Sequence, residues 1–395
     1  MIKIRAHVLW PSLGISSAIS FSLIILLSGT VLNMKVSEAQ IPAPDVLYGT
    51  HSKLQIQCIH TPVWPQPNET ITIAARAVDG QSLAPKVARS LEIIINKSTT
   101  AEPILSGKSV NSSSTLNYTS GPLTNLTTIS YGCRAIDNST GQLVSSGMKK
   151  IAIGTFNKSR AVPVLFAGNQ SSNIMDVLFV ADNKTFSGPR DPNFLADVEK
   201  AIVLYYNQSV LLNNQNKTNF WIAQDMGQAK NHCDSIPPAN WNLAYLSFDA
   251  AVILHRDDSI RDCTRMDKEL STGNMATVAK EGNTMLHEIG HRPFGLADEY
   301  DSGGFYDPSY PWQNVFNNNQ NCVSDALSME KTSCRKIPYV YDKNEYFTSD
   351  AQPNDLMVDN RQFQDLDNRR IEKWFENCLS PSDNVPAPPD HCGQR

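Results

Sequence analysis

Short apolar runs separated by polar turn clusters fill the chain after its opening stretch, at 54–59, 71–78, 91–95, 129–136 and 149–153. Runs of this length, bounded by Gly, Pro, Asn and Ser, predict antiparallel strands rather than helices. Their spacing suggests an all-β, immunoglobulin-like sandwich over residues 41–161, with Cys58 and Cys133 placed to bridge two sheets. Tyr131, two residues before Cys133, sits where such domains carry a tyrosine corner, although no tryptophan is well placed between the two cysteines. Near Val162 the pattern changes to alternating strand and helix. A buried strand is expected at 175–181, a helix at 194–206, and further strands at 219–223 and 250–254. The segment 273–278 is expected to be a sheet edge, able to hold an extended peptide by strand addition. A loop-rich stretch through Gly303 and Gly304 leads to a last helix over 363–377, and a proline-rich tail over 379–395 is expected to be extended.

The candidate chemistry is concentrated in fourteen residues, His287-Glu288-Ile289-Gly290-His291 followed by Gly295-Leu296-Ala297-Asp298-Glu299-Tyr300. At about 3.6 residues per turn, side chains four apart share a helix face, so His287 and His291 can offer nitrogens to one zinc ion. Glu288 then lies beside the metal, where a carboxylate can act as general base on the water that the metal activates. Met285, Leu286 and Ile289 supply an apolar stripe for packing the helix on a sheet, and Pro293 should end it soon after His291. Gly295 permits a sharp turn that returns Asp298, or alternatively Glu299, to the metal as third ligand.

The run from Gly295 to Tyr300, placed three residues after HExxH, resembles the IgA-peptidase family of zinc metallopeptidases, a branch of the metzincins. The resemblance implies an α+β fold: a metzincin-like zinc peptidase domain over 162–378 behind the β-sandwich. It also implies a methionine turn beneath the metal, which Leu356-Met357-Val358-Asp359-Asn360 can supply through Met357. The sequence departs from the usual metzincin pattern, because its glycine comes one place late and its third ligand is a carboxylate rather than histidine. Asp301 and Asp307, just downstream, are candidate oxygen ligands for a structural calcium ion.

Composition sets the setting of this chemistry. The 395 residues carry a net charge of −5 with no long basic run, which argues against a nucleic-acid partner and against electrostatic attachment to an anionic membrane. Residues 1–39 read as an export signal or membrane anchor, with Lys3 and Arg5 ahead of an uncharged run at 13–34. All eight cysteines follow it, and a sequential pairing is expected: Cys58 with Cys133, Cys233 with Cys263, Cys322 with Cys334, Cys378 with Cys392. Asn-x-Ser/Thr sequons run from Asn68 to Asn216 and then cease, so a glycan coat would cover the amino-terminal half and leave the HExxH region bare. The expected function is that of a secreted or surface-anchored zinc endopeptidase acting on extracellular protein or peptide. The alternative is a catalytically inactive surface-binding protein that keeps the peptidase fold.

Overall fold

The computed structural model describes residues 54–98, 103–123, 128–154, 160–167, 174–241, 248–264, 272–276, 283–300, 313–329, 331, 333–338, 345–350, 355–359 and 361–379, together with 26–27 and 30–31. Before residue 54 the described residues form a two-residue ladder, β1 (Leu26–Leu27) with β2 (Thr30–Val31). Asp301, Asp307 and the tail beyond 379 lie outside the described residues.

The first strands follow the alternation of the sequence. β3 (Leu54–Thr61), β4 (Thr72–Asp79) and β7 (Thr115–Thr119) form a three-stranded antiparallel sheet. β5 (Ala88–Ser98), β6 (Pro103–Ser113), β8 (Thr128–Asp137) and β9 (Leu143–Ala152) form a second layer in the order β6-β5-β8-β9. Leu91, Ile93 and Ile95 of β5 are fully buried between the layers with Ile56, Ile73 and Ile129. Burying each such side chain contributes about 2 kcal/mol against leaving it in water. The Cys58–Cys133 disulfide ties the layers together across this core.

Beyond β9 the sheet does not stop. β10 (Ala161–Ala167) pairs with β9 through Phe166↔Lys150 and Ala167↔Lys149, and its other end pairs with β12 (Thr218–Ala223). The sheet then continues through β11 (Met175–Ala181), β13 (Ala250–His255) and β15 (Thr272–Ala276), whose pairings are parallel, to the two-residue β14 (Cys263–Thr264). One ten-stranded mixed sheet thus runs from β6 to β14. This corrects the expected fold class: the molecule is β-rich, and among the described residues there is no clear α+β metzincin arrangement behind an immunoglobulin-like sandwich. The cause is β10, whose apolar run Val162-Pro163-Val164-Leu165 reads as a boundary in sequence yet is a strand hydrogen-bonded on both sides. Tyr131 departs from the corner motif too, since its hydroxyl pairs with the His60 ring rather than with backbone.

Helices cover the parallel half. α1 (Pro192–Tyr205) begins where Asp191 accepts a hydrogen bond from the Asn193 N–H and Pro192 supplies a helical φ, and it buries Phe194, Val198, Ala201 and Ile202. A short α2 (Ser209–Asn213) leads into β12, and α3 (Thr284–His291) packs against both α1 and β15. Towards the carboxyl end follow α4 (Asn319–Leu327), the hairpin of β16 (Arg335–Pro338) and β17 (Glu345–Thr348), the single turn α5 (Leu356–Asp359), and α6 (Asp365–Asn377). The segment expected to be a free sheet edge is corrected as well, because β14 pairs with Gly273 and Asn274 of β15. The second described disulfide joins Cys322 to Cys334, and Cys263 and Cys378 are disulfide-bonded also. These bonds indicate an oxidising, extracellular environment. No helix among the described residues is long and apolar enough to cross a membrane.

Candidate metal centre

α3 presents its histidines as its period requires. Met285, Leu286 and Ile289 are buried in the main core, which turns His287, Glu288 and His291 together towards the loop that follows. The helix ends at His291, one residue ahead of the Arg292–Pro293 pair, where proline cannot supply a helical N–H. Gly295 takes a φ of 73°, the left-handed conformation a turn needs here, and the chain then runs without regular secondary structure to Tyr300.

Within that loop the side chains of Asp298 and Glu299 meet different partners. Asp298 faces the helix, its Oδ1 3.1 Å from His287 Nε2 and 3.3 Å from His291 Nε2. Glu299 faces away: its Oε2 accepts from Arg335 Nη2 at 3.0 Å and its Oε1 from Asn314 Nδ2 at 3.2 Å. The structure therefore brings Asp298, and not Glu299, to the two imidazoles. Asn314 also braces the loop from behind, accepting from the Ala297 N–H at 3.0 Å and donating to the Ala297 carbonyl at 2.9 Å.

The donor chemistry of the three residues fits a divalent cation. His287 Nδ1 donates to the Leu356 carbonyl at 3.0 Å, and His291 Nδ1 donates to the Leu296 carbonyl at 2.8 Å. Each carbonyl accepts the Nδ1 proton, which leaves the Nε2 atoms, both facing the Asp298 carboxylate, as the ones that would ligate a metal once they give up any proton shared with Asp298. Burial would pull the His291 imidazole down, but the Asp298 charge and hydrogen bond outweigh it and push it up to about 9. Burial would likewise raise Asp298, yet the two imidazoles hold its carboxyl well below the usual carboxylate range. The three groups favour positive charge at the point where their donor atoms meet.

Glu288 is 6% exposed, and burial raises its carboxyl above the usual range against the pull of both imidazoles. A small pocket lined by Thr264, Ile289 and Arg292 opens beside it, and the Thr264 hydroxyl donates to the Glu288 carbonyl at 2.9 Å. Met357 lies beneath the helix, where a Cβ added at Gly290 would stand 2.9 Å from its Sδ. Its carbonyl accepts from the Glu299 N–H at 3.1 Å, joining α5 to the loop that carries Asp298. Tyr300, which closes the sequence motif but had no assigned part, stacks at 6.1 Å on the His287 ring and donates a hydrogen bond to Asp298. Asn314 and the two carbonyl partners carry no sequence signal, because backbone acceptors and a distant asparagine become neighbours only on folding.

No protein-family model matches the chain, and no curated protein matches it. Among solved structures it is similar to a superoxide reductase (neelaredoxin) from Ignicoccus hospitalis at 12% identity and TM-score 0.20, over 25% of this chain and 80% of that one. It is similar to the sporulation control protein Spo0M from Bacillus subtilis at 8% identity and TM-score 0.17, over 26% and 49%. A cycloisomaltooligosaccharide glucanotransferase from Paenibacillus matches at 9% identity and TM-score 0.20, over 74% and 33%. At such scores none of these likenesses bears on activity.

Proposed function

We propose that the protein is an exported zinc-dependent endopeptidase of the IgA-peptidase type, acting on extracellular protein. One observation carries this reading: two tautomer-fixed imidazoles and a carboxylate converge on one point, with a second carboxylate next in sequence to the first histidine. Three N and O donors that leave a position open match the ligand sets of catalytic rather than structural zinc sites. When bound, the ion supplies a Lewis acid that polarises a carbonyl and acidifies water.

The chain's own residues do the rest. His287, His291 and Asp298 hold the cation, and the Leu356 and Leu296 carbonyls keep the rings aimed. Glu288, poised upward by burial, takes a proton from the attacking water and delivers it to the amine nitrogen as the peptide bond breaks. Tyr300 steadies Asp298 and the His287 ring. Met357 gives the centre an apolar floor.

The test uses the full-length purified protein. Elemental analysis should find one zinc per chain, and denatured casein should be cleaved without chelator and left intact with it. Glu288→Gln should keep the zinc and lose turnover by at least about a hundredfold, since general-base catalysis alone contributes about 10²–10⁴. Stoichiometric zinc with no hydrolysis of any protein would favour the binding-protein alternative. Absence of zinc from folded protein would remove the proposal.

A further inference from the structure

Directly behind the histidine site stands a second group of acids. Glu299, Asp350, Asp355 and Asp367 are all at most 2% exposed, and one oxygen from each lies within 4.8 Å of the others. They come from four separate segments: the loop after Asp298, the turn after β17, the residue opening the methionine turn, and the first turn of α6. Among the described ion pairs, two cations reach the group. Arg335 Nη2 pairs with Glu299 at 3.0 Å, and Lys331 Nζ pairs with Asp350 at 2.8 Å. Four carboxylates against two cations, one of which, Lys331, is shared with the exposed Asp365 at 3.0 Å, leave a formal charge of at least −2 in the protein interior, a place where unbalanced charge is costly.

Asp367 marks what the group lacks. It is 0% exposed, and neither of its carboxylate oxygens has a hydrogen-bond partner of ordinary geometry, although the Gln364 backbone N–H approaches it. Buried carboxylate oxygens are almost always satisfied, and an exception points to an ion or water that belongs there. Asp350 and Asp355 show the contrast: Asp350 accepts from the Leu366 N–H at 3.0 Å, and Asp355 Oδ1 accepts from the Met357 N–H at 2.7 Å.

We propose that Glu299, Asp350, Asp355 and Asp367 bind a calcium ion. All four donors are hard carboxylate oxygens with no imidazole or thiolate among them, which selects calcium over zinc. Calcium bonds of about 2.3–2.6 Å place opposite ligands about 4.6–5.2 Å apart, a span compatible with the observed grouping, and its double charge cancels the residual −2. The site lies one residue from the histidine site at two places. Glu299 follows Asp298, and Asp355 precedes Leu356, whose carbonyl holds His287. The ion is thus a clamp that joins the ligand loop, the methionine turn and α6, and it is distinct from the zinc centre.

The full-length protein, stripped with EDTA, desalted and reloaded with one equivalent of zinc, is titrated with CaCl2 by calorimetry while its Tm is followed. One calcium should bind per chain, and Tm should rise by about 3 °C at a hundredfold excess over Kd. Asp367→Asn should weaken calcium binding at least about tenfold, whereas Glu288→Gln, at the other centre, should bind it unchanged. No binding and no shift in the wild-type protein would overturn the assignment, and so would wild-type affinity in Asp367→Asn. If Asp367→Asn does not fold, anomalous diffraction from a wild-type crystal grown with CaCl2 decides: density among the four carboxylates supports the site, and density elsewhere or none overturns it.

Discussion

Protonation of His60 should weaken the contact between β3 and β8, which belong to the two layers of the amino-terminal half. The ring is 5% exposed, with Nε2 donating to the Val63 carbonyl at 3.1 Å and Nδ1 accepting from the Tyr131 hydroxyl at 2.8 Å. Both nitrogens are therefore used by the neutral tautomer, and a second proton would have to displace the Tyr131 donor. Burial pushes the imidazole down to about 4, and the nearby Lys149 ammonium pushes the same way against the Val63 carbonyl. The unfolded chain takes up this proton near pH 6.5 and the folded chain only near 4, so stability is full above pH 6.5 and falls as the pH drops between the two values. At about 1.4 kcal/mol per pH unit, the loss is about 2 kcal/mol at pH 5 and about 3 kcal/mol below pH 4. Other groups titrate in the same range, so the readout is the difference between wild type and His60→Gln in guanidinium unfolding from pH 8 to pH 5. At pH 8 the variant should be less stable by about 1 kcal/mol, the value of a lost hydrogen bond, and by pH 5 the order should reverse. Stability curves for the two proteins that stay parallel across this range would refute the reasoning.

Gly290→Ala places a methyl carbon 2.9 Å from Met357 Sδ and 3.3 Å from Leu296 Cδ1, so overpacking of about 1–3 kcal/mol opposes a helix-propensity gain of about 1 kcal/mol. A lower Tm is expected in calorimetry, and an equal or higher one would show that Met357 does not press on the helix. Asp298→Asn should weaken zinc binding by at least about a hundredfold in a competition assay against a fluorescent chelator, because it removes the charge that both imidazoles face. Replacing Cys58 and Cys133 with alanine opens a 75-residue loop and should cost about 4 kcal/mol in denaturant unfolding at neutral pH. A loss under about 1 kcal/mol would mean that the buried layers alone hold β3 on β8.

Local signals in this chain were readable where a single period or a single residue decides the outcome. The runs at 54–59 and 175–181 appear as β3 and β11, and the helix expected over 363–377 appears as α6. The i,i+4 histidines and the glycine turn brought three donor atoms together because helix geometry and a φ of 73° are local properties. What sequence left open was settled by contacts between distant segments. Asp298 and Glu299 are chemically alike and adjacent, and they differ because Asn314 and Arg335, 15 and 36 residues away, capture Glu299. The fold class failed for the same reason. The apolar run of β10 reads as a boundary, and nothing in it says that β9 will pair with one edge and β12 with the other. Lys149 shows the consequence in one side chain: placed on β9, its buried ammonium donates to the Cys58 carbonyl at 3.0 Å and to Gln215 Oε1 at 3.0 Å, and lies 4.4 Å over the Tyr206 ring. Its pattern position is that of an ordinary strand residue, whereas its partners belong to β3, the end of α1 and the turn before β12. A buried lysine pushed down to about 7 by desolvation is tolerated there because the continuous sheet supplies acceptors from both halves at once.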